Sequence, residues 1–194
     1  MKHVPFLSLL LALVAFTLPA CNNDNKPKDS EKMADKANDA KTETRRSEAD
    51  ADLMVSAVSS DMYEVAAADM AMNMGTQSSV RDFARMMTTE HPKMMEETKS
   101  LASMKAFSVP TTMANDYMSD IEDMKKWTKG KEFDTKYIDA QVDQHQKMLD
   151  DIEKRMAGTE DTDVKAWTQK ASSAVRMHLD KARMIQEDLK KMYK

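Results

Sequence analysis

The chain has 194 residues and a net charge of −4 at pH 7, with one cysteine, three glycines, five prolines and twenty methionines. A single cysteine excludes a disulfide framework and a thiolate metal cluster. Mild acidity without a strong basic patch argues against nucleic acid as a partner. So few glycines and prolines leave long stretches without breakers, which favours helices over turn-rich β structure.

Residues 1–20 open on Lys2 and His3 and continue as an almost unbroken run of Leu, Ala, Val and Phe from Phe6 to Leu18. The run falls short of the roughly 20 apolar residues a membrane-spanning helix needs. A basic start, a short apolar core and a small-residue exit make a secretory signal. That exit, Leu18-Pro19-Ala20-Cys21, resembles the lipobox of bacterial lipoproteins. The resemblance implies diacylglycerol on the Cys21 thiol and cleavage before it, so the chain is anchored to a membrane rather than spanning one. Asn22 stands where some lipoproteins carry an inner-membrane retention Asp, which points to the outer membrane. Residues 22–49 are nearly all polar or charged. They carry too little apolar surface to offset their ordering entropy, and are expected to form a flexible tether, the alternative being a frayed helix around Glu31 to Ala40 with little to pack on.

From residue 50 the apolar residues take helical periodicity. A first long helix is expected over about 50–74, closed by Gly75. A second follows from Ser78 or Ser79 to about 106, with Pro92 inside it and Pro110 beyond. A short helix over about 112–128 precedes Gly130. A third long helix covers about 132–157 and stops at Gly158, and a fourth opens after Thr162 and reaches the C-terminus. Two short connections flank one long one that carries its own small helix. That is the ferritin-like variant of the antiparallel four-helix bundle, occupying residues 50–194.

Beyond residue 20 the chain has three histidines, each on a different long helix: His91, His145 and His178. Neighbours three, four and seven residues away share a helix face. For His91 these include Ala84, Met87, Met94 and Met95. For His145 they include Ile138, Val142, Met148, Leu149 and Ile152. For His178 they include Ala171, Val175, Ala182 and Ile185. The first helix offers Glu64 on a small-residue stripe of Ala57, Ser60, Ala67, Ala68 and Ala71, with Asp61 as the exception. All four residues fall near the middles of their helices, so antiparallel packing places them in one layer. Imidazole nitrogens and a carboxylate suit a transition metal, zinc first and copper second. A polar core network of the same four residues is the competing reading. Pro92 is expected to kink the second helix next to His91. Thioethers favour Cu(I), and Met87, Met95 and Met148 lie three or four residues from a histidine. Their alternative role is as flexible core fillers.

The order Tyr63-Glu64-Val65, Val80-Arg81-Asp82-Phe83-Ala84 with Met87 and His91, Pro110, Phe133-Asp134-Thr135-Lys136-Tyr137 with His145, and His178-Leu179 with Ala182 resembles the DUF4142 family over about residues 50–190. The resemblance implies a ferritin-like bundle in the bacterial envelope and says little about activity. Di-iron proteins of that fold place Glu-x-x-His on two helices. Here Thr88, Val142 and Val175 stand three residues before the histidines, so a di-iron oxidase is not expected and one mononuclear site is the most the residues provide. The leading expectation is a non-enzymatic lipoprotein that binds a metal ion or a protein partner, with a link to envelope stress. The alternatives are a metal-dependent enzyme and a purely structural bundle.

Overall fold

The structure, a computed structural model, describes residues 29–194. The expected signal segment, Cys21 and the start of the tether lie outside the described residues. The described chain is all-helical: α1 Ser30–Asp39, α2 Arg45–Met74, α3 Ser78–Met104, α4 Asn115–Met124, α5 Lys131–Gly158 and α6 Thr162–Met192. No helix among the described residues is long and apolar enough to cross a membrane.

Direction follows from contacts at the two ends. At one end the Asp134 carboxylate accepts bonds from the Thr76 and Gln77 amides and from the Tyr193 hydroxyl. This joins the α2–α3 turn to the start of α5 and the end of α6. At the other end Asp50 at the start of α2 pairs with Arg155 and accepts from the Thr159 hydroxyl at the end of α5. Lys105, just past α3, pairs there with Asp161 and Asp163 at the start of α6. So α2 and α6 run one way and α3 and α5 the other. Helices α3 and α5 are parallel, and residues 105–130 carry the chain along the length of the bundle between them. This is the long crossover expected from the sequence.

Helix α2 is buried on several sides because α1, α3, α4 and α5 all pack on it. Its small residues make that possible: Ala51, Ala57, Ala67, Ala68 and Ala71 are buried, as are Ser59 and Ser60. The α2–α3 turn needs Gly75, since a Cβ there would stand 2.6 Å from the Ala71 carbonyl and 3.2 Å from Val80. Helix α4, shorter than expected, docks on α2 through Tyr63 stacked on Tyr117, with ring centroids 4.8 Å apart, and through the Ala114 amide bonded to Ser59. Helix α3 continues through Pro92 from Ser78 to Met104.

The described part of the expected tether differs from the sequence reading. Residues 30–39 form α1, and α2 begins at Arg45 rather than near residue 50. Helix α1 has little apolar surface, yet Asn38 is fully buried, donating to the Ser108 carbonyl and accepting from the Ser108 amide. Ser30 bonds to the Thr111 amide. Hydrogen bonds to the crossover, with Ala34 buried beneath, dock a helix that composition alone makes look free.

Candidate metal centre

His91, His145 and His178 arrive at one level of the core from α3, α5 and α6. All three are at most 4% exposed. The ring centroids are 5.6 Å apart for His91 and His145, 5.2 Å for His91 and His178, and 5.4 Å for His145 and His178. One nitrogen from each ring lies within 4.8 Å of one from each of the others. Tetrahedral zinc with Zn–N bonds near 2.0–2.1 Å holds its nitrogens about 3.4 Å apart. Modest side-chain rotation about one ion covers that difference.

Each ring is held by one nitrogen and leaves the other free. The Nδ1 atom of His91 is 2.8 Å from Oδ1 of Asp61 on α2. His145 donates from Nδ1 to the Gln141 carbonyl one turn earlier, at 2.8 Å. The Nε2 atom of His178 is 2.7 Å from Oε2 of Glu90 on α3. Nε2 of His91, Nε2 of His145 and Nδ1 of His178 are buried with no hydrogen-bond partner in the protein. A carboxylate or carbonyl on the far nitrogen is the arrangement that fixes tautomer and ring orientation in metal-bound imidazoles.

Glu64 lies beside this group. It is 1% exposed, with Oε1 3.9 Å from Nδ1 of His145 and Oε2 without a partner. The structure thus joins the three histidines and sets Glu64 at their edge. Asp61 and Glu90, which sequence reasoning did not assign to the site, orient two of the rings. Asp61 had looked like a polar exception on the α2 stripe, and Glu90 was not singled out. Their signal was position: Asp61 is one turn before Glu64, and Glu90 immediately precedes His91.

Burial and neighbouring charges set the protonation states. Burial, reinforced by positive charge on His91 and His178, pushes His145 down to about 3. Burial also lowers His178, against its bond to Glu90. Burial works against charge on His91 as well, but the Asp61 hydrogen bond and the Glu64 charge outweigh it and raise that ring. Burial raises Glu64 to about 7, with the His91 charge opposing. Neutral imidazole is the form that ligates a metal, so His145 and His178 are ready ligands at neutral pH.

A cavity of about 290 Å³ borders the cluster, with His91, His145, Asp61 and Glu64 in one wall and Met94, Met148, Ile152 and Trp167 in others. Lys170 and Glu97, exposed residues of α6 and α3, also line it and pair at 2.6 Å. Of the three methionines expected as soft ligands, Met148 lines this cavity. Met87 is buried in the apolar cluster with Phe83 and Tyr137, and Met95 is half-buried and not among the lining residues. Met94 lines it instead.

A helical bundle whose core gathers three imidazoles, each with an orienting partner and a free nitrogen, defines a candidate mononuclear metal-binding protein. The chain belongs to the DUF4142 family, a domain of unknown function, whose model matches residues 34–185. No curated protein and no solved structure matches the chain.

Proposed function

We propose that this protein is a lipid-anchored envelope bundle that binds one transition-metal ion through His91, His145 and His178. One observation carries the reading: three buried imidazoles from three helices each keep one nitrogen without a protein partner while the other is fixed. A purely structural polar network is expected to use up its buried donors and acceptors, because each unmet one costs about 1–3 kcal/mol. A shared ion satisfies all three at once. Three neutral nitrogens with an open fourth position suit zinc first. Copper comes second, supported by the thioethers of Met94 and Met148 on the same cavity. Glu64 is the protein group best placed to approach the fourth position.

The cavity favours a second reading, a metal-dependent enzyme. It is lined by His91, His145 and Glu64, and catalytic zinc sites keep one position for water or substrate.

Zinc titration of untagged protein against a competing chelator tests the metal reading. One equivalent should bind, and His145→Ala should remove most of the affinity while leaving the helical content intact. Weak binding of several ions, unaffected by His145→Ala, overturns it. The anchor rests on Leu18-Pro19-Ala20-Cys21. Cys21→Ser should abolish membrane attachment, and an unmodified Cys21 at the N-terminus of the processed protein would contradict lipidation.

A further inference from the structure

We infer that the cavity between the four long helices is a binding chamber for a small aromatic molecule, held by a thioether and indole wall. The inference goes beyond the metal reading. It needs no bound ion, and neither the histidines nor the carboxylates beside them hold the ligand.

Three observations carry it. The first is the space itself. Close-packed interiors hold few voids larger than a water molecule, yet about 290 Å³ lies open here. Alanines stand where longer side chains would close it: Ala57 on α2, and Ala171 and Ala174 on α6, all line the chamber. An apolar cavity of about 150 Å³ takes up benzene, so this one admits a body of one or two rings.

The second is what the walls offer. Met94 from α3, Met148 and Ile152 from α5, and Trp167 and Val175 from α6 line the chamber. Thioether sulfur makes favourable contacts with aromatic rings, and the unbranched methionine chain adapts to their outline. An indole adds stacked or edge-to-face contact. Met94, Met148 and Trp167 are each half-buried, so these groups keep accessible surface.

The third is that the indole N–H is already used. Trp167 donates from Nε1 to the Thr98 hydroxyl at 3.2 Å, and that hydroxyl donates to the Met94 carbonyl at 2.9 Å. The pair of bonds ties α6 to α3 and fixes the indole as a wall. What Trp167 then presents is apolar ring surface, which selects by shape and ring contact.

The test uses metal-free protein, held so by a chelator, with carbon-13 at the methionine methyls. Benzyl alcohol and cyclohexylmethanol, alike in size and hydroxyl, are titrated separately and followed by NMR. Benzyl alcohol should move the Met94 and Met148 signals to saturation with one midpoint. Met177 and Met184, 49% and 61% exposed on the outside of α6, should stay still. Cyclohexylmethanol should bind at least about threefold more weakly, since it forfeits the sulfur–ring contacts. Ala174→Phe, which fills the chamber from α6, should abolish the response and keep the wild-type circular dichroism. Absence of a saturable shift at Met94 and Met148 up to the solubility limit overturns the chamber, and so does a shift spread evenly over all methionine signals. Undiminished binding by folded Ala174→Phe protein overturns its location. Equal or tighter binding of cyclohexylmethanol overturns the aromatic class. With no metal present, each of these failures leaves the metal reading standing.

Discussion

Nδ1 of His91 lies 2.8 Å from Oδ1 of Asp61, with both side chains buried. This contact between α3 and α2 engages Nδ1 of His91 and leaves its Nε2 without a protein partner. It comes one residue before Pro92, so the ring is fixed where the helix lacks a backbone donor.

Asp61→Ala should therefore weaken zinc binding without removing a ligand. Outer partners of metal-bound histidines typically contribute about 10–100-fold in affinity, and a loss in that range is expected, read by competitive titration. Circular dichroism should stay that of the wild type. Unchanged affinity would show that the contact only fills the core.

The same contact shows what was and was not legible in the sequence. His91, His145 and His178 could be placed together because each sits on an apolar stripe near the middle of its helix, and helix geometry converts both facts into position. Asp61 and Glu90 could not be assigned as orienting groups. Whether a carboxylate next to such a stripe turns inward depends on a partner helix whose rotation no single-helix pattern specifies. Glu64 was legible as buried, but its offset to the edge of the cluster depends on side-chain geometry.

The metal-free protein should show a pH dependence with two opposing parts. Folding lowers His145 from 6.5 to about 3, so between those values the unfolded chain binds more protons. The stability from this group is present above pH 6.5 and lost as pH falls toward 3. His178 acts in the same direction. Glu64 does the reverse, because folding raises it from 4.5 to about 7. Its contribution is complete below pH 4.5 and lost as pH rises through 7. That interval corresponds to on the order of 3 kcal/mol. Glu64→Gln should gain stability of that order at pH 8 and should lose stability more steeply than wild type from pH 7 down to 4.5. Urea denaturation with a chelator present measures both. Parallel profiles for the two proteins would contradict the burial of a charged Glu64.

Helix α1 offers a separate check. Polar composition hid it from a reading based on apolar surface, because its docking depends on paired hydrogen bonds between Asn38 and Ser108, at 2.9 and 2.7 Å. Asn38→Ala leaves the Ser108 amide and carbonyl without these partners, and should cost about 1–3 kcal/mol. Hydrogen exchange should quicken at Ser108 and through residues 31–39 and stay slow in the middles of α3 and α6. Fast exchange of residues 31–39 in the wild type would restore the tether.

X-ray absorption at the metal edge tests the three-imidazole centre most directly, using untagged protein loaded with one equivalent of zinc. The expected spectrum shows three imidazoles with Zn–N near 2.0–2.1 Å, one further light-atom ligand and no sulfur. One imidazole should be lost in each of His91→Ala, His145→Ala and His178→Ala. A shell of oxygens without imidazole scattering, or a spectrum unchanged by all three substitutions, would contradict the metal centre.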